Sequence, residues 1–162
     1  MPAMATCDAL QDDALQVIEG LASSTMCAGL DHDDLFELST LAALRRYKAL
    51  DEAVAEGSPL TSLQVVCSGR FIVLLPSHSL RNFRENTTVS LASFVPGDSL
   101  GVDGLAMAQK ADVSVIASEA ATTVELPLVP LIELLERKPA LGARLYRNLL
   151  INHQRDRTAA FA

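Results

Sequence analysis

Tryptophan is absent from this 162-residue chain, and aromatic residues make up only 4% of it. Flat surfaces on which nucleobases could stack are therefore scarce. The core must come from Leu, Val, Ala and Ile. Positive charge is also short: 13 Lys and Arg stand against 20 Asp and Glu, a net charge of −7. That balance argues against nucleic-acid binding, which depends on neutralising phosphates, and against adsorption to anionic membranes. Cysteines are few. Cys7, Cys27 and Cys67 are odd in number and show no CxxC spacing, which argues against a disulfide framework or a zinc site and points to a reducing compartment. Long apolar runs are missing too. The longest candidate, VVCSGRFIVLL, is broken by Arg70, and the first residues, MPAMATCDALQDD, have neither the basic start nor the apolar stretch of a signal peptide. The expectation is a cytoplasmic protein with no membrane insertion and no DNA target.

Apolar residues account for 49% of the chain, enough for one folded domain with a real core. Residues 8–22 read as an amphipathic helix capped by Asp8, with Leu10, Ala14, Val17, Ile18 and Leu21 on one face. A second helix starts at Asp31, with Asp33 and Asp34 in its first turn and Arg45 and Arg46 at its C-terminal end, where the macrodipole favours each sign. His32 among three aspartates lacks the spacing of a ligand set.

From Tyr47 onward the period shortens. Segments 62–67 and 70–75 are rich in Val and Ile around Ser68-Gly69, the pattern of two strands joined by a very tight turn. Glu56-Gly57-Ser58-Pro59 is a turn before them. Residues 76–88 read as a polar loop or long hairpin; Ser77-His78-Ser79 within it has no acid placed to orient the histidine. Further strands are expected at 89–95, 113–117 and 122–126. Pro130 suits the opening of a helix, and Lys138-Pro139 divides it from a last helix in which Leu141, Leu145 and Leu149 repeat every four residues, with Tyr146 and Leu150 beside them. Two helices, six to eight short strands and two helices favour an antiparallel sandwich or roll over βαβ units.

The stretch 94–117, FVPGDSLGVDGLAMAQKADVSVIA, is the centre of the chain. Gly101 and Gly104 precede a short apolar run that begins at Leu105. Backbone N–H groups before a helical turn can converge on an anion; a glycine-rich corner between two strands is the competing reading.

Taken together, YKALDEAVAEGSPLTSLQVVCSGRFIVLL, FVPGDSLG, VSVIASEAATTVEL and LPLVPLIELLERKPALGARLYRNLL resemble, in order and spacing, cyclic-nucleotide-binding domains of the catabolite-activator type over roughly residues 28–155. The resemblance implies a mainly β fold with flanking helices: an antiparallel, jelly-roll-like β-roll with N-terminal helices and two C-terminal helices. It divides the chain into an N-terminal helical extension (1–27), the roll (28–138) and a C-terminal helix (139–162). In that family a glutamate follows the cassette glycine and bonds the ribose, and an arginine about nine residues later holds the cyclic phosphate. With Gly101 as the glycine, Val102 stands where the glutamate should be, Ala111 where the arginine should be, and Asp112 where a hydroxyl should follow. A one-residue slip brings Asp103 to the ribose and Lys110 to the phosphate instead. Lysine offers a point charge in place of a guanidinium fork.

The cassette candidates are therefore Gly101, Val102, Asp103, Gly104, Leu105, Lys110, Ala111 and Asp112. The expected function is a regulatory or signalling module whose ligand site is degenerate. It would act through a protein partner or as a dimer formed by Leu141, Leu145 and Leu149 of the last helix. The alternative is a divergent sensor that binds a cyclic nucleotide, cAMP or cGMP, or another anion. No cofactor, catalytic residue or metal is expected: an enzyme of the cupin type needs clustered histidines, and His32, His78 and His153 are scattered.

Overall fold

A computed structural model describes residues 3–74 and 90–161. The loop expected at 76–88, with Ser77-His78-Ser79, lies outside them. Helix α1 (Ala3–Ser23) leads to α2 (His32–Leu41), then to strands β1 (Ala43–Tyr47), β2 (Glu52–Val54), β3 (Ser62–Ser68), β4 (Phe71–Leu74), β5 (Ser90–Phe94) and β6 (Ser99–Leu100). A single turn, α3 (Asp103–Ala106), precedes β7 (Ser114–Ala117) and β8 (Ala121–Pro127), and the described chain ends in α4 (Leu128–Arg137) and α5 (Pro139–Phe161). Two four-stranded antiparallel sheets result, ordered β1-β8-β3-β6 and β2-β7-β4-β5.

Several local expectations change. The first helix starts at Ala3, so Asp8 lies inside it and not at its N-cap; Ala3, Met4 and Ala5 are in sequence good helix formers that extend it toward the N-terminus. Asp31 does cap α2, accepting from the Asp34 amide at 2.9 Å, but α2 stops at Leu41. Arg45 and Arg46 belong to β1, which pairs with β8 along its whole length. Arg45 reaches Glu125 at 3.0 Å, and Arg46 reaches back to Asp13 on α1. Helix α4 begins at Leu128, two residues before Pro130, which sits among the first four N–H positions that lack an intrahelical partner. Pro139 opens α5 as expected.

Ser68-Gly69 is not a hairpin. β3 pairs with β8 and β4 with β7, so the chain leaves one sheet at Gly69 and enters the other. Residues 118–120 make the same crossing beside it. The Ser118 amide donates to Arg70 O at 2.9 Å, and the hydroxyls of Ser68 and Thr122 bond at 2.7 Å.

Alternation along β3 separates two cores. Leu63 and Val65 join Val124 and Leu126 of β8 in a cluster with Val17 and Leu21 of α1, Leu38 of α2, Leu131, Leu134 and Leu135 of α4, and Leu145 of α5. Val66 faces the other way, into the roll, with Tyr47, Phe71, Val73, Leu100 and Val115. β3 and β8 are thus covered on both faces, which is why LQVVC is a nearly continuous apolar run. Inside the roll, Tyr47 Oη donates to Gln64 Oε1 at 2.6 Å and Thr123 Oγ1 donates to the same oxygen at 2.8 Å. Gln64 Nε2 donates to Ala53 O at 3.3 Å, so the buried amide is satisfied at both ends.

Leu141, Leu145 and Leu149 are also part of the first core, 2%, 0% and 8% exposed. They face their own domain and are not free to meet a partner helix. An aspartate at Leu145 would break the fold before it broke any dimer. The periodic stripe is real, but its outward neighbours are Tyr146, Leu150 and Ile151.

Cys27 lies in the same core, and burial pushes its thiol up from 9.0 to about 11, against a smaller opposing effect of the Ser24 hydroxyl. Between those values the unfolded chain has lost the proton and the folded chain keeps it, so stability falls as pH rises. The expected loss is about 2 to 3 kcal/mol between pH 9 and pH 11. Urea melts across this range should show it, and Cys27→Ala should flatten the curve by that amount.

Candidate functional site

β6 ends at Leu100, and the next residue turns the chain sharply. Gly101 has φ +77°, and a Cβ there would stand 2.6 Å from Ser62 O of β3. Glycine is required by both the left-handed backbone and the close strand. Gly104 is required by packing: a Cβ would stand 2.5 Å from Leu128 Cδ1 of α4 and 3.2 Å from Leu60 Cβ. Leu105 is buried in the core shared with α4 and α5. The glycine pair therefore has a full structural explanation as a corner that seats α3 under α4.

After α3 the chain runs back as an extended segment. Leu60 N donates to Gln109 O at 3.0 Å, Ala111 N to Ser58 O at 2.8 Å, and Gly57 N to Ala111 O at 2.8 Å. The Glu56-Gly57 turn thus clamps residues 109–111. Both backbone groups of Ala111 are engaged, and its methyl is buried.

A cavity of about 140 Å³ opens at that methyl, between the cassette and the mouth of the roll. Val73, Phe94 and Val115 form its apolar floor; Gly101, Asp103, Lys110, Ala111 and Asp112 also line it. Among the described residues that line it, two carboxylates and one ammonium are ionisable. Its volume falls below the roughly 300–1,000 Å³ of pockets for drug-sized ligands.

A larger cleft of about 700 Å³ adjoins it, between the far half of α5 and residues 92–103. Val102 and Asp103 line it, facing Leu149, Asn152, His153 and Arg155 of α5. Five of the eight cassette candidates, Gly101, Asp103, Lys110, Ala111 and Asp112, thus converge on the small cavity. Val102 lines the larger cleft, and Gly104 and Leu105 are packing residues. Of these α5 residues, Asn152 and Arg155 were not singled out in sequence, and Leu149 and His153 were named for other reasons. The only signal for the first two is polar side chains continuing one helical turn past Leu149.

Helix α5 is fixed over this cleft by the turn after α1. Asn148 Nδ2 donates to Met26 O and Ala28 O, both at 2.9 Å, Arg144 donates to Gly29 O at 2.7 Å, and Asn152 Nδ2 donates to Thr25 Oγ1 at 2.7 Å. Among the described residues no group of three or more His, Cys, Asp or Glu is placed to hold a metal ion. No described helix is long and apolar enough to cross a membrane.

No family model matches the chain. Among curated proteins it is 30% identical over 129 residues to Glutaminase 1 of Bradyrhizobium diazoefficiens, a match that covers 80% of this chain and 19% of that protein. The chain therefore spans about one fifth of the curated relative's length. Among solved structures, a cyclic nucleotide-binding domain from Methylobacillus flagellatus KT superimposes with a TM-score of 0.73 at 16% identity, over 91% of this chain and 80% of that one. The catabolite activator protein of Thermus thermophilus gives 0.67 at 20% identity, over 85% and 62%. The fold is that of the cyclic-nucleotide-binding domains: antiparallel sheets closed by flanking helices, as the resemblance in the sequence implied.

Proposed function

We propose that this chain is a regulatory or interaction module in which the β-roll is kept as a scaffold and the cassette no longer takes cAMP or cGMP in the family's manner. The observation that carries this is the charge around the small cavity: among the described residues that line it, Asp103 and Asp112 stand against Lys110, with the methyl of Ala111 at the position the resemblance gives to an arginine. A cyclic phosphate brought there meets, among the described residues, a net negative rim and no guanidinium fork. An Arg–phosphate pair is among the strongest contacts a protein makes, and its loss costs on the order of 2–4 kcal/mol, or roughly 30- to 1000-fold in affinity. The module is not itself an enzyme and works in the cytoplasm, where Cys27 and Cys67 stay as free thiols. Likeness to one fifth of Glutaminase 1 fits a module of this kind shared with a longer enzyme, and it assigns no glutaminase chemistry to this chain.

One observation favours a second reading as a divergent sensor. The cleft of about 700 Å³ beside the cassette is of ligand size, and Arg155 brings a guanidinium to a wall that also carries Asp98 and Asp103.

Calorimetric titration with cAMP and cGMP to about 1 mM separates the two. The expected result is no heat and no thermal stabilisation by either nucleotide. Micromolar binding that Lys110→Ala abolishes would overturn the proposal and establish the slipped register of the cassette.

A further inference from the structure

The cavity of about 140 Å³ at the Ala111 methyl suits a smaller guest than a nucleotide. Its floor lies inside the roll: Leu100, Val73 and Val115 are buried, with Phe94 half-buried beside them. An engineered cavity of roughly 150 Å³ lined by Leu, Ile and Phe holds benzene in another protein, so this floor admits an apolar group of about four to six carbons. The mouth carries both signs of charge. Asp103, Lys110 and Asp112 are exposed at its rim. Among the described residues, none of these three side chains takes part in a salt bridge or a side-chain hydrogen bond. The backbone between Lys110 and Asp112 is fixed through Ala111, which is bonded to Ser58 and Gly57. An apolar floor thus sits below two carboxylates and one ammonium that the fold itself leaves unused.

We propose that this cavity takes a small zwitterion with an apolar tail, an α-amino acid of about leucine's size. The tail lies on the floor, the ammonium meets Asp103 and Asp112, and the carboxylate meets Lys110. The inference rests on the reading that the cassette has given up cyclic nucleotides, and it names what the same opening selects instead. Charge chooses among small ligands. An anion meets two carboxylates for one ammonium and is disfavoured. A simple amine satisfies the acids and leaves Lys110 without a partner. A zwitterion engages all three. The tail is needed as well, because burial on Val73, Phe94 and Val115 is a contribution that glycine cannot make.

Calorimetric titration of the full chain with L-leucine, glycine, isoamylamine and isocaproate tests the proposal. The last two are leucine without its carboxylate and leucine without its ammonium. L-leucine is expected to bind with a Kd of about 0.1 to 1 mM, and isoamylamine roughly tenfold more weakly. Glycine and isocaproate are expected to give no binding heat at about 10 mM. Asp112→Asn is expected to weaken L-leucine roughly tenfold. Lys110→Ala is expected to bring L-leucine down to the level of isoamylamine and to leave isoamylamine as tight as before or tighter, a crossing that a general loss of structure would not produce. Both side chains are exposed, and a far-ultraviolet melt confirms that each variant is folded. No binding of L-leucine at about 10 mM would overturn the proposal. So would isocaproate binding as tightly as L-leucine, or a Lys110→Ala chain that weakens both leucine and isoamylamine alike. The nucleotide titration fails or succeeds separately: micromolar cAMP binding sinks the reading of the cassette whatever leucine does, and a chain blind to nucleotide and to leucine sinks only the amino-acid site.

Discussion

Gly69→Ala is expected to cost about 3 to 5 kcal/mol, enough to leave little of a typical domain's stability. Gly69 has φ +78°, where an alanine pays about 1 kcal/mol for the left-handed backbone. The rest is steric. A Cβ would stand 2.5 Å from Ala120 O, 2.6 Å from Ala121 Cβ and 2.7 Å from Ala121 Cα. Two of these three are main-chain atoms of the neighbouring crossing, so no side chain can swing away to relieve them. The two crossings are bonded together through Ser118 and Arg70, and shifting one shifts both sheets. Gly57→Ala is the matched control. Its φ is +82°, but nothing lies within 4 Å of the new methyl, so only the conformational cost of about 1 kcal/mol applies. Denaturant melts of the two variants should therefore differ by about 2 to 4 kcal/mol. Equal losses would mean that the two crossings do not touch at Gly69.

What the sequence disclosed about the fold follows the range of the forces involved. Asp31 was readable as a cap because the bond it makes closes within three residues. Pro139 was readable as a helix start for a similarly local reason. The strand character of 62–67 and 71–74 was visible from the Val and Ile in short apolar runs, but such runs say nothing about which strand is the partner. Gly69 consequently looked like a hairpin when it is a change of sheet. Arg45 and Arg46 looked like the end of a helix. They are in a strand because Ala43–Tyr47 pairs with β8, and Arg45 meets a glutamate 80 residues away. The stripe on α5 was correctly periodic, yet periodicity does not say whether Leu145 or Leu150 faces inward. At the cassette, the resemblance set Gly101 and Ala111 in one segment, and both line the small cavity. That Gly101 is held by Ser62 O, and Gly104 by Leu128, depends on chain segments about 40 and 24 residues away and could not be read locally.

Ala111→Arg is the variant with the largest expected effect on ligand binding, and the effect is a gain. Ala111 lies at the edge of the small cavity, on a segment whose backbone is already fixed by Ser58 and Gly57. The backbone bonds do not involve the side chain, so the substitution leaves the segment's own hydrogen bonds intact. A guanidinium extended along the cavity would meet Asp103 and Asp112, which brings the lining from a net negative to a neutral balance. A fork able to grip a phosphate would then be present for the first time. If the gap-free register is correct, cAMP affinity should rise by roughly 30- to 1000-fold over the parent chain, read by calorimetry or by thermal shift at millimolar nucleotide. Val102→Glu added to it should improve binding further only if Val102 can turn toward the ribose from the adjoining cleft that it lines. Because Ala111 is 7% exposed, the melt of the variant without ligand must be measured first. A folded Ala111→Arg chain that still ignores cAMP and cGMP would show that residue 111 does not occupy the arginine position. Affinity gained there would instead mark the cassette as a nucleotide site that lacks its principal phosphate ligand, in a roll otherwise complete.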